Sequence, residues 1–225
     1  MELIPYFQDS SCTIYHGDCR DILPSLKADL VLTDPPFGVM LGDKNRTNMM
    51  TKHGNEGYGF TDDVDYVVRV AVPVVDICRK VAVRVLVTPG LKNLWAYPEP
   101  DALWGIYFPN GAGVGRWKAF VCWQPLLCYG PSPTYKGCFP DTFFATEQAD
   151  KNGHPCPKPL EVWRRILARM VGMGGGSVID PFMGSGTTLR AAKDLQCKAI
   201  GIEIEERYCE IAAKRLAQNV LGFSE

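Results

Sequence analysis

The stretch from Ser177 to Glu203 constrains the fold of this chain more than any other. Ser177-Val178-Ile179 reads as a short buried strand, Asp180-Pro181-Phe182-Met183-Gly184-Ser185-Gly186 turns the chain, and Thr187-Thr188-Leu189-Arg190-Ala191-Ala192 reads as a helix. Cys197-Lys198-Ala199-Ile200-Gly201-Ile202 then makes a second strand ending at Glu203. Strand, glycine turn and helix form the nucleotide-binding arrangement. Glycine lets the backbone take positive φ and come close to a ligand, while the helix N-terminus presents N–H groups. An Asp or Glu about 20 residues after such a turn binds ribose hydroxyls in dinucleotide folds, and Glu203 stands nineteen residues after Gly184. A lone Gly-x-Gly is more often a simple turn; strand, turn, helix and spaced acid together make a site.

A second motif lies near the front. Ala28-Asp29-Leu30-Val31-Leu32-Thr33 is an apolar, β-branched run that predicts a buried strand. Asp34-Pro35-Pro36-Phe37 therefore falls at the strand's carboxyl end, where open α/β sheets hold their chemistry. Two prolines fix φ and bring carbonyls without amide donors, giving a rigid acceptor edge. Asp34 adds a carboxylate and Phe37 a flat apolar face. The set suits an exocyclic amino group on an aromatic ring, with two acceptors for its two hydrogens and a ring for stacking. Asp-Pro-Pro alone is more often just a strand ending in a proline turn; the glycine turn downstream tips the reading.

Between the motifs the pattern is coarser. Thr13-Ile14-Tyr15 predicts an opening strand leading to Gly17-Asp18. Residues from Val39 to Phe60 are rich in Gly, Asn, Lys and Met without periodicity, and predict a loop beside the site. Asp62 to Lys80 looks helical but is crowded with Val and interrupted by Pro73, and Val81 to Val87 predicts a buried strand ending at Thr88-Pro89-Gly90. Leu91 to Gly153 is dense in aromatics, Pro and Gly, with Val121-Cys122-Trp123 predicted as a strand. Trp104, Trp117 and Phe139 are candidates for stacking on bases, core packing being the commoner fate of any one of them. Apolar positions 160, 163, 166, 167 and 170 mark one amphipathic helix; Ile204, Tyr208, Ile211, Ala212 and Leu216 mark the last, with Arg207 and Lys214 facing out.

Length suits one compact domain over 1–225, at 46% hydrophobic residues. A net charge of −1 gives no global basic field. Nucleic-acid binding would depend on local clusters, Lys44, Arg46 and Lys52 or Arg116, Lys118 and Lys136, each also readable as a solvated loop. Nine cysteines, an odd number, with no secretory leader or membrane-spanning run, predict reduced thiols in a cytosol. Cys122, Cys128, Cys138, His154 and Cys156 lack the tight pairing of structural zinc sites, so no metal is expected.

Taken together, the chain resembles the beta-class DNA amino-methyltransferases, which use S-adenosyl-methionine to methylate adenine N6 or cytosine N4. The resemblance rests on Gly17-Asp18-Cys19 with Asp21-Ile22-Leu23, on Asp34-Pro35-Pro36-Phe37, on His154-Pro155-Cys156-Pro157-Lys158-Pro159, and on Val178 to Leu216 including Tyr208. The catalytic motif comes first, the target-recognition segment next and the cofactor turn last, the permuted order of that class. It implies a Rossmann-like α/β methyltransferase fold, a mostly parallel sheet with helices on both faces, and a short recognition segment within 91–153. It implies that Asp180, Phe182, Gly184, Ser185, Gly186 and Thr187 surround the methionine end of the cofactor, that Glu203 holds its ribose, and that Asp18 and the backbone at Cys19 meet its adenine. His154 and Lys158 fall in a motif before a helix that packs under the cofactor. The sequence departs twice from the family pattern. Phe37 stands where Tyr is usual, keeping the stacking face without the hydroxyl, and Cys156-Pro157 replaces the usual Thr-Gln.

The implied activity is site-specific methylation of adenine N6 in double-stranded DNA, leaving S-adenosyl-homocysteine, in a bacterium or a phage-infected host. The catalytic set would be Asp34, Pro35, Pro36 and Phe37, with Asp34 also next to the cofactor. Asp34 and the Pro35 carbonyl would accept the two N–H hydrogens and favour a tetrahedral nitrogen, and Phe37 would stack on the flipped base. Asp at the first motif position favours adenine by family habit, with cytosine N4 the close alternative and a silent cofactor-binding protein the reading of another class. Homodimers are common in the resembling class.

Overall fold

The computed structural model describes residues 3–38, 64–111, 119–133, 139–147, 158–172 and 174–218. Among them the strands are β1 (Phe7–Gln8), β2 (Cys12–His16), β3 (Ala28–Thr33), β4 (Ala82–Val87), β5 (Ala102–Tyr107), β6 (Trp123–Tyr129), β7 (Thr142–Phe144), β8 (Ser177–Asp180) and β9 (Lys198–Glu203). The helices are α1 (Cys19–Ile22), α2 (Val64–Tyr66), α3 (Val72–Val81), α4 (Leu160–Val171), α5 (Thr187–Asp194) and α6 (Glu206–Ala217). All the strands form one sheet in the order β1-β2-β9-β8-β3-β4-β6-β5-β7. The run from β2 to β4 is parallel throughout. β6 is antiparallel to both of its neighbours, and β1 to β2.

Alternation along the strands makes two cores. On β3, Leu30 and Leu32 face one side, with Trp163, Ile166, Leu189 and Ala212 from α4, α5 and α6. Val31 faces the other, with Ile22, Val74 and Cys78. A strand buried on both sides has to be apolar at every position, which is why the Leu30–Leu32 run carries no polar residue.

Pro73 does not end the helix that contains it. The turn just before it, Val67–Ala71, is a wider π turn in which the Val72 N–H reaches the Val67 carbonyl. That widening takes up the clash a proline ring makes with the turn behind it. The predicted strand at 121–123 begins only at Trp123 and runs to Tyr129 through Pro125. Proline is tolerated there because pairing with β4 stops at Leu127 and asks for no donor at 125.

α4 buries Trp163, Ile166, Leu167 and Met170 as the spacing predicts. α6 buries Tyr208, Ala212 and Leu216, but Ile204 lies ahead of the helix and is 45% exposed. Arg207 does not face out: its guanidinium lies 4.7 Å from the Tyr208 ring and donates to the Tyr208 hydroxyl, whereas Lys214 is exposed and pairs with Glu210. Trp104 packs edge-on against Phe139, and the Arg169 guanidinium lies 4.3 Å from the Phe139 ring. The loop from Val39 to Phe60, both basic clusters and Trp117 lie outside the described residues. No described helix is long and apolar enough to cross a membrane.

Candidate active site at the carboxyl edge of the sheet

The parallel strands β2, β9, β8, β3 and β4 end at one edge. The residues at and just after their ends are Gly17-Asp18, Glu203, Asp180, Asp34 and Thr88. Thr33 and Asp180, 147 residues apart in sequence, meet here through a 2.6 Å hydrogen bond.

Asp180 is an internal strut. Its Oδ1 accepts from the Thr33 hydroxyl and the Phe182 N–H, and its Oδ2 accepts from the Thr188 hydroxyl at 2.5 Å. Thr188 in turn accepts from the Trp163 indole at 3.0 Å, so α4, α5, β8 and β3 are tied at one buried carboxylate. Burial pushes that carboxyl up to about 6 against the pull of these donors.

Beyond it the chain turns through Gly184 and Gly186, both with positive φ (50° and 78°), into α5. A Cβ on Gly186 would come within 2.9 Å of the Ala212 side chain, so α6 packs hard against the turn. Arg215 of α6 donates to the Thr187 hydroxyl and the Ser185 carbonyl. Glu203 closes the turn from the neighbouring strand: Oε2 accepts from the Gly184 N–H and Oε1 from the Glu205 N–H, both at 2.9 Å. Burial raises its carboxyl to about 7. The Gly17 N–H donates to the Glu203 carbonyl, which sets Asp18 beside this acid. Asp18 caps α1 and takes a bidentate contact from Arg20, whose guanidinium holds the carboxyl below its ordinary value. Cys19 is buried at the helix start, and burial pushes its thiol up to about 12.

Asp34 follows β3. Its Oδ1 accepts from the Thr88 hydroxyl, and its Oδ2 pairs with the Lys158 ammonium at 2.7 Å. The same ammonium lies 4.8 Å from the centroid of the Phe37 ring. The Phe37 carbonyl accepts from Asn93 Nδ2 at 2.5 Å. Lys158 thus sits on the Asp-Pro-Pro-Phe turn, while His154 of the same motif lies outside the described residues. The other candidate residues share the one edge. Sequence reasoning did not single out Thr33, Thr88, Asn93, Trp163 or Thr188; for Thr33 and Thr88 the readable signal was a hydroxyl residue at or just after the end of an apolar strand. No cluster of metal-ligating side chains occurs among the described residues.

A model of the DNA methylase family matches residues 90–214. The chain belongs to this N6/N4 DNA methylase family. It is 44% identical over 249 residues to the Type II methyltransferase M2.LlaDCHI of Lactococcus lactis subsp. cremoris, spanning 94% of this chain and 91% of that protein. It is 28% identical over 262 residues to the Type II methyltransferase M.ScaI of Streptomyces caespitosus, spanning 94% and 83%. The fold matches that of M1.HpyAVI in complex with S-adenosyl-methionine, with a TM-score of 0.63 at 21% identity over 92% of this chain and all of that one. It also matches the cytosine-N4-specific PvuII DNA methyltransferase, with a TM-score of 0.65 at 17% identity over 97% and 90%. The N6/N4 methylase is therefore a DNA methyltransferase of the Type II kind.

Proposed function

We propose that this methylase acts on the N6 amino group of adenine in double-stranded DNA, with Asp34 and the Pro35 carbonyl as acceptors of its two hydrogens. The observation that carries the reading is the seat of the Lys158 ammonium. It is a nitrogen donor 2.7 Å from Asp34 and 4.8 Å from the Phe37 ring, and an exocyclic amine stacked on Phe37 needs the same two partners. The target amine displaces this ammonium from Asp34 on entry. The amine lone pair is delocalised into the base, and two acceptors on its hydrogens favour the tetrahedral nitrogen that attack requires. Asp34 also stabilises the positive charge that grows there. Pro35 and Pro36 hold the acceptor edge rigid, and Phe37 recovers by stacking part of the few kcal/mol that base flipping costs.

The donor set at the edge fits S-adenosyl-methionine. Glu203, buried except for a sliver and held by two backbone N–H groups, offers its remaining lone pairs to ribose hydroxyls. Asp18 and the backbone at Cys19 meet the adenine ring. Phe182, Gly184, Ser185, Gly186 and Thr187 line the methionine end, and Asp180 keeps that turn in shape through Thr33 and Thr188. Bound there, the cofactor supplies an electrophilic sulfonium methyl group. The 1–225 chain works as one domain, with base readout from 91–153, whose strands β5, β6 and β7 extend the same sheet beyond β4.

Cytosine N4 is the second reading, since a cytosine-N4-specific enzyme shares the fold. The carboxylate at position 34 favours adenine. Expressing the protein in a host without DNA methylation and sequencing the genome for modified bases tests this. Methylated adenine at one recurrent sequence is the expected result; methylated cytosine alone would reverse the assignment.

A further inference from the structure

We infer that Thr88 and Asn93, on the segment that leaves β4, are positioning residues that fix Asp34 and Phe37 in the orientation that meets the target amine. This rests on the assignment of Asp34 as acceptor for that amine. β3 and β4 run parallel with Thr33 opposite Val87, so the next residues, Asp34 and Thr88, emerge side by side. The Thr88 N–H donates to the Thr33 carbonyl at 3.2 Å and ends the ladder. Its side chain is fully buried, and its single hydroxyl proton has two acceptors in range, the Asp34 carboxylate and, at 3.4 Å, the Thr33 carbonyl. The ionised and closer acceptor takes it.

That bond decides what Asp34 presents. A carboxylate turns easily about its last torsion. With Oδ1 tied to Thr88, Oδ2 is left pointing to the place Lys158 occupies, which is the place of the amine. The other end of the motif is held from the same segment. Asn93, 5% exposed, donates to the Phe37 carbonyl, and Lys92 donates to the Gly38 carbonyl at 3.3 Å. Gly90 lies flat under the Phe37 ring, where a Cβ would come 2.9 Å from Cγ. Residues 88–93 are thus a template for the catalytic turn, and its two buried polar side chains spend their donors on that turn. Pre-organisation of this kind acts on turnover more than on binding.

The test compares Thr88→Val, which keeps the shape without the hydroxyl, with Thr88→Ser, which keeps the hydroxyl. Thr88→Val is expected to lower kcat roughly 10- to 100-fold, the effect of one hydrogen bond to a charged group. KM for DNA and the calorimetric Kd for S-adenosyl-methionine should stay within about threefold, and Thr88→Ser should recover kcat to within about threefold. Should Thr88→Val fail to bind cofactor and so prove misfolded, Asn93→Ala carries the test, with kcat expected about tenfold down at unchanged cofactor Kd. Wild-type kcat in Thr88→Val while Asp34→Ala is inactive overturns the inference alone. Equal losses in the Val and Ser variants overturn it too, since steric fit rather than the hydroxyl would then matter. Full activity in Asp34→Ala overturns the underlying assignment instead.

Discussion

Replacing Asp34 by Asn keeps the shape of the side chain and removes its charge, which makes the size of the effect calculable. The Thr88 hydroxyl still has an oxygen to donate to. The atom facing the target becomes an NH2, a donor set against the donors of the amine. Asp34 is only 23% exposed, so an intermediate effective dielectric near 20 applies. A unit charge 4 Å away is then worth about 4 kcal/mol, and half a charge on nitrogen at the transition state about 2 kcal/mol. Loss of a charge-assisted hydrogen bond adds about 2 kcal/mol. The sum, roughly 4 kcal/mol, corresponds to about a 1000-fold slower methyl transfer. Single-turnover transfer of labelled methyl to DNA, at saturating cofactor, isolates this step. Cofactor affinity should change less than about threefold, because the Asn occupies the same volume and the carboxylate oxygens of Asp34 are engaged by Thr88 and Lys158. A single-turnover rate within tenfold of wild type would refute the electrostatic role given to Asp34.

Burial raises Asp180 to about 6 and Glu203 to about 7. Between about pH 4 and pH 7 the folded chain therefore holds more protons than the unfolded one, and the contribution of these groups to stability falls as pH rises through that window. In the ribose-binding role proposed for it, Glu203 accepts more strongly as an ionised carboxylate, so cofactor affinity measured by calorimetry should be tighter at pH 8 than at pH 6, by up to about tenfold; a flat profile speaks against this role. Gly186→Ala forces a side chain into φ 78° and against Ala212. It should cost about 2 kcal/mol, seen as a thermal midpoint lower by about 4–8 °C, with weaker cofactor binding. Trp163→Phe removes the donor to Thr188 at the buried Asp180 knot. A loss of about 1–3 kcal/mol in denaturant unfolding is expected, and an unchanged midpoint would show that the knot contributes nothing.

The parts of the site legible in the sequence were those that use backbone geometry. Asp-Pro-Pro-Phe ends β3, and Gly184 and Gly186 take the positive φ that the turn into α5 needs. Glu203 ends β9 and reaches back to the Gly184 N–H, nineteen residues away. What could not be read were contacts made across strands distant in sequence. Thr33 reaches Asp180 only because β3 and β8 are neighbours, which no local pattern states. Lys158, placed by motif order near the cofactor, reaches the Asp34 carboxylate because a long, flexible side chain goes to the nearest ionised partner. Pro73 read as a breaker, since the compensating π turn has no sequence signature of its own. β6 starts later than the strand predicted at 121–123 because pairing with Tyr107 begins at Trp123.

Whether Asp34 serves methyl transfer to the N6 amino group of adenine in DNA can be tested with the purified protein. It is incubated with unmethylated genomic DNA and labelled S-adenosyl-methionine, the DNA is digested to nucleosides, and the methylated nucleoside is identified by mass, with Asp34→Ala run alongside. Label in N6-methyldeoxyadenosine for the wild type, and none above background for the variant, is the expected result. Label carried only by N4-methyldeoxycytidine, or equal label from both proteins, would contradict it.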